Sequence, residues 1–192
     1  MSTHLKKIVL GTGLALAVPL AFAQWRTLNV PLTTQEHSEW CWSASSKAVI
    51  NFYKSPPTQC TIANWAFGLN YACGNSSFDW NSYANSPNSL YGTPGSVQNI
   101  LAHWGVSTYA YNYASSWNSV VSDINNNKPF VIRFGWTNGG GHIMAGNGYE
   151  IWNGYDYVIY MNPWPGEGNS EDLYTWMRSA YDHQWTDTLR VR

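Results

Sequence analysis

Residues 130–162 read FVIRFGWTNGGGHIMAGNGYEIWNGYDYVIYMN, and their punctuation decides the fold. Pro129 ends the preceding segment, and Phe130 to Trp136 is an apolar run with the composition of a strand. The run Gly139-Gly140-Gly141 interrupts it, and His142 to Ile151 reads as a second strand. Asn153-Gly154 is a strong two-residue hairpin signal, so Tyr155 to Met161 is expected to return antiparallel to the strand before it.

Upstream of Pro129 the period is helical. The stretch WCWSASSKAVINFY, Trp40 to about Tyr53, carries Cys41, Ala44, Ala48 and Phe52 at helical spacing, and Pro56-Pro57 ends it. Ser38 and Glu39 stand where a cap and a first-turn acid belong. Shorter helices are expected over residues 61–69, 96–103 and 116–126, and the turn-rich residues 74–95 read as one long surface loop. Helices first and an antiparallel sheet after them make an α+β arrangement.

The chain has 192 residues, of which only 11% are charged while 16% are aromatic. A net charge of −1 excludes nucleic-acid binding driven by counterion release, and the aromatic content excludes intrinsic disorder. At the N-terminus Lys6 and Lys7 precede an apolar stretch, Ile8 to Phe22, that closes on Ala21-Phe22-Ala23. This is the pattern of a signal peptide, residues 1–23, cleaved before Gln24. The remainder, residues 24–192, is expected to be a single domain: exported to the periplasm or beyond, free of the membrane after cleavage, and monomeric. Asn75-Ser76-Ser77 matches a glycosylation sequon, which behind a short signal sequence of bacterial character reads as coincidence.

Export changes how the three cysteines are read. Outside a reducing compartment Cys60 and Cys73, 13 residues apart, are candidates for a disulfide. Cys41 is then left over, although its pairing with either of the others stays open at this level. An unpaired thiol in an exported protein calls for a use. Cys41 falls at a helix N-terminus, where unsatisfied N–H groups and the helix dipole favour thiolate.

Cysteine nucleophiles need a base, a group that orients the base, and donors for the oxyanion. His142 opens a strand behind three glycines, and Asn162 stands 20 residues on, at the end of the return strand. The hairpin brings both to the same end of the sheet, where an Asn amide can orient an imidazole. Gln35 precedes Cys41 by six residues, placing a side-chain amide beside the thiol as an oxyanion donor.

Gln35, Cys41-Trp42 and the Ala/Ser-rich helix after them resemble the active-site helix of papain-like cysteine peptidases. Gly141-His142 is similar to that family's histidine segment, and Asn162-Pro163-Trp164 to its Asn-x-Trp segment, in which the aromatic ring shields the Asn–His contact. His142 lies 101 residues after Cys41, and the compact bacterial branches, including the peptidase C39-like group, fit best. The resemblance implies a papain-like α+β fold and a cysteine protease acting through an acyl-enzyme. In it Cys41 is nucleophile, His142 base and acid, Asn162 the orienter and Gln35 an oxyanion donor. Trp42, Gly140, Gly141 and Trp164 are expected to line the cleft for a protein or peptide substrate. No metal or other cofactor is expected, since neither His37, His103 nor His183 has partners at ligand spacing. The alternatives are an amidase of peptidoglycan using the same thiol chemistry, and an inactive aromatic-rich binding module.

Overall fold

The turn Asn153-Gly154, both residues at positive φ (50° and 80°), joins the two strands at the heart of the sheet. These are β4 (Gly141–Trp152) and β5 (Tyr155–Asn162), preceded by β3 (Phe130–Trp136). The computed structural model describes residues 24–74 and 78–192; the expected signal peptide and the Asn75-Ser76-Ser77 sequon lie outside them. Ahead of β3 come β1 (Gln24–Thr27), α1 (Cys41–Tyr53), α2 (Gln59–Phe67), α3 (Val97–His103), β2 (Thr108–Tyr111) and α4 (Trp117–Asn125). After β5 come β6 (Gly168–Leu173), α5 (Tyr174–Arg178) and β7 (His183–Val191).

The ladder runs β2-β7-β3-β4-β5-β6, with β1 added alongside the far half of β4, and every described pairing is antiparallel. This is the α+β class expected from the sequence. The helices over 41–53, 59–67, 97–103 and 117–125 stand within two residues of the predicted ones. Four strands and α5 were not predicted. β6, GNSEDL, offers no apolar alternation to read, and β1 is four residues long.

One core serves both halves. Trp42, Ala48, Val49 and Ile50 of α1 are buried with Val131, Ile132, Ile143, Met144 and Ala145 of the sheet. Close packing needs Gly146: a Cβ there would stand 2.2 Å from the Phe130 ring. The register between β4 and β5 shifts just beyond it, across Asn147.

Two tryptophans tie α1 to the loop before α3. The indole N–H of Trp40 donates to the Ala84 carbonyl at 2.8 Å, and that of Trp42 to the Ser86 carbonyl at 3.1 Å. Trp40, not Ser38, is the residue preceding the first turn, and no side chain caps it. Ser38 Oγ instead accepts from Asn85 Nδ2 at 2.9 Å, a tertiary bond across 47 positions.

Cys60 and Cys73 form a disulfide, and Cys41 is the free thiol. The bridge closes a short loop and restricts the unfolded chain, which is worth about 2–4 kcal/mol. Reduction is therefore expected to lower the unfolding free energy obtained from urea titration by that amount, and a Cys60→Ser, Cys73→Ser double variant to be indifferent to reductant. An unchanged midpoint on reduction would show that the bridge adds nothing to stability.

Candidate active site

Cys41 is the first residue of α1, and α1 lies against the end of β4 that β5 leaves unpaired. The contact is a clasp around one residue. Ser45 Oγ, one helical turn after Cys41, donates to the Ile143 carbonyl at 2.9 Å. The residue before Ile143 is His142, so the helix start and the imidazole are held at one joint. Ser45 was not singled out in the sequence, although its position four after Cys41 places it on the same helix face.

His142 is buried and its Nε2 lies 2.7 Å from Asn162 Oδ1. The same oxygen accepts from the Trp164 N–H at 3.2 Å. Two N–H donors converging on one atom identify it as the amide oxygen, so Nε2 carries the ring proton and Nδ1 is the bare base. The Trp164 ring stacks on His142 with centroids 4.3 Å apart, and Trp136 lies parallel to Trp164 at 5.9 Å. The rings cover this contact from one side while Trp164 stays 41% exposed.

The expectation of a thiol made acidic by the helix N-terminus is not met. Burial pushes Cys41 up to about 11, against the opposing pull of the N–H groups of Ile143, Trp42 and Cys41 itself. Burial also pulls His142 down to about 4, partly countered by the bond to Asn162. Each group alone resists charging in this environment.

The buried neutral imidazole predicts acid sensitivity. Its folded pKa lies below the ~6.5 of an unfolded histidine, so the unfolded chain takes up the proton first. The contribution is complete above about pH 6.5 and is lost as pH falls to about 4, at most about 3 kcal/mol. Urea midpoints should drop more steeply over this window in the protein than in His142→Gln. Parallel profiles would mean that His142 is not held neutral.

Gln35 is placed differently from the expectation. Its Nε2 donates to the carbonyls of His37 (2.9 Å) and Ser38 (2.8 Å), which uses both amide hydrogens, while Oε1 is buried without a partner. In this arrangement Gln35 braces the loop entering α1 and offers no N–H to an oxyanion. Trp42 is also corrected: it is wholly buried and lines the core, not a cleft. The imidazole of His37 stacks on Phe78 at 3.5 Å, adding an aromatic buttress to the same loop.

Gly140 is exposed and Gly141 pairs with Gly135 at the strand start. A Cβ on Gly141 would lie 2.4 Å from the Phe134 carbonyl, so only glycine admits this close pairing beside His142. Among the described residues no group of three His, Cys, Asp or Glu is placed to hold a metal, and no helix is long and apolar enough to cross a membrane.

Residues 27–191 match the family described as Peptidase_C39 like. Among solved structures, a protein of Bacillus anthracis assigned as a C39-like peptidase superposes with a TM-score of 0.57 at 13% identity, covering 88% of this chain and 98% of the other. A double glycine motif protease of an AMS/PCAT transporter, solved in complex with its leader peptide, superposes with a TM-score of 0.52 at 16% identity, covering 86% and 94%. At such identities the likeness concerns the fold. No curated protein matches the sequence.

Proposed function

Because the chain belongs to the Peptidase_C39 like family, we propose that it is an exported cysteine peptidase that cleaves a protein or peptide through Cys41, His142 and Asn162. The observation that supports this reading is the joint at Ile143: Ser45, on the helix that the free thiol Cys41 opens, bonds the Ile143 carbonyl, and the preceding residue, His142, has its Nε2 2.7 Å from Asn162 Oδ1.

His142 Nδ1 takes the thiol proton as sulfur attacks the substrate carbonyl carbon. The oxyanion is met by the N–H of Cys41, which has no partner within the helix because it belongs to the first turn. Gln35 joins it only if its amide turns away from the His37 and Ser38 carbonyls. His142 returns the proton to the amine as the C–N bond breaks, leaving a thioester on Cys41. It then draws a proton from water as the water attacks that thioester and passes it to sulfur as the C–S bond breaks and the acid departs, so the enzyme ends as it began. Asn162 keeps Nε2 protonated throughout, and the Trp164 ring keeps water from that bond.

The disulfide, and a described chain with no membrane-crossing helix, are compatible with export and with release of the form starting at Gln24. That form, incubated with casein and a mixed peptide pool, is expected to show cleavage abolished by iodoacetamide and absent in Cys41→Ser. Alkylator-sensitive cleavage that persists in Cys41→Ser would remove Cys41 from the chemistry. Release of muropeptides from purified cell walls without cleavage of any peptide would move the activity to the amidase reading.

A further inference from the structure

We propose that the cavity on the Asn162 side of His142 receives a cationic side chain, lysine or arginine, from the leaving-group half of the substrate. The inference rests on the peptidase reading and names a substrate class for it. The cavity measures about 260 Å³, with His142 and Asn162 in one wall. That is below the ~300–1,000 Å³ of a site for a drug-sized ligand, and suits a single side chain.

Its walls are aromatic and acidic together. Trp136, Trp164 and Trp176 contribute indole rings; one face of Trp164 is stacked on His142, but Trp164 and Trp176 still keep 41% and 40% of their surface exposed to a ligand. Glu167, Asp172 and Asp182 contribute carboxylates, and no lysine or arginine lines the space. Indole faces and carboxylates both attract an organic cation, and the rings do so most where water is displaced.

The carboxylates are not equally free. Asp172 accepts from the Tyr160 hydroxyl at 2.6 Å, and Asp182 lies 2.8 Å from His183 Nδ1. His183 is the cavity's own basic group, and its Nε2 faces the Trp176 carbonyl at 3.1 Å. Both its nitrogens face acceptors, the Asp182 carboxylate and the Trp176 carbonyl, so His183 and Asp182 pair with one another and Glu167 and Asp172 remain as the acidic wall. Glu167 has no side-chain hydrogen bond or ion pair among the described residues, which leaves its charge for a ligand. A metal ion suits the space poorly, because indole rings supply no ligands and these carboxylates are not grouped to chelate one.

There is also a way in. An outer groove of about 530 Å³ shares Trp136, Trp164 and Asp182 with the cavity and is flanked by Tyr181. A segment passing His142, which hands its proton to the departing amine, crosses Trp164 and can lower a long side chain between the rings. Length and positive charge together describe lysine and arginine.

The test uses quenched-fluorescent peptides of one sequence, varied only at the first or second residue after the scissile bond among Lys, Arg, norleucine and Glu. At one of these positions kcat/KM is expected to be roughly 10–100-fold higher for Lys and Arg than for norleucine, with Glu lowest. In Glu167→Gln the Lys-to-norleucine ratio should fall about tenfold, and in Glu167→Lys it should invert. Ratios within twofold at both positions, or ratios that Glu167→Lys leaves alone, overturn the proposal. Arginine amide titrated into Cys41→Ser, followed by tryptophan fluorescence, separates it from the peptidase reading. Saturable binding lost in Cys41→Ser, Glu167→Lys upholds the cavity even if no peptide is cut, whereas cleavage without charge preference and without amide binding sinks the cavity alone.

Discussion

His142→Ala is expected to lower kcat/KM on a cleavable peptide by about 10³–10⁴-fold, with the protein still folded. The size follows from what the imidazole does in the proposed cycle: it takes the proton from sulfur, gives one to the leaving amine and takes one from water. The thiol has no other route to its reactive form, since burial holds it at about 11 when it stands alone. Near neutral pH the variant would keep almost all of its sulfur as unreactive thiol. Alkylation supplies a second readout. In the protein, iodoacetamide reports the thiolate formed with His142; in His142→Ala its rate should rise only toward high pH, following the thiol by itself. A variant alkylated as fast as the parent at pH 7 would show that His142 does not activate Cys41. Asn162→Ala should fall between the two, because the imidazole remains but its proton is no longer confined to Nε2.

The second large effect concerns stability. Trp40→Ala is expected to cost about 3–5 kcal/mol, the range for deleting a fully buried tryptophan. Trp40 has no exposed surface, and its indole N–H donates to the Ala84 carbonyl, so the substitution opens a cavity and leaves a buried acceptor unpaired. Its ring also meets His37 edge-on at 4.2 Å, inside the loop that Gln35 braces. Activity should therefore fall together with the urea midpoint. Trp40→Phe, which keeps most of the volume, should recover the larger part of both. A loss under 1 kcal/mol in Trp40→Ala would mean that the site collapses without strain.

What could be read from the sequence was local. The hairpin at Asn153-Gly154 and the helix from Trp40 announce themselves by turn chemistry and by period, and the structure keeps both. The meeting of His142 and Asn162 was legible because the hairpin arithmetic alone brings residues 142 and 162 to one end of the sheet. The misses are long-range. β6 is polar along its length and is a strand because β5 pairs with it, not because its residues alternate. Ser38 had the residue type for a helix cap, but Asn85 claims its hydroxyl. Trp42 looked like a cleft residue from its place beside Cys41, yet on a helix adjacent residues face different ways, and this one faces the core. The same holds at Cys41, where the helix terminus is visible in the sequence and the packing that opposes it is not.

The clasp at Ile143 has a further consequence, for solubility. β5 leaves this end of β4 with a bare edge, the kind that recruits strands from other molecules. The Ser45 hydroxyl occupies the Ile143 carbonyl that such a strand would need. Detaching the start of α1 would therefore expose a template for intermolecular pairing as well as dismantling the site. Variants that loosen this helix should aggregate before they unfold, and inactivation of the protein in storage should track fibre-like association more closely than loss of the thiol.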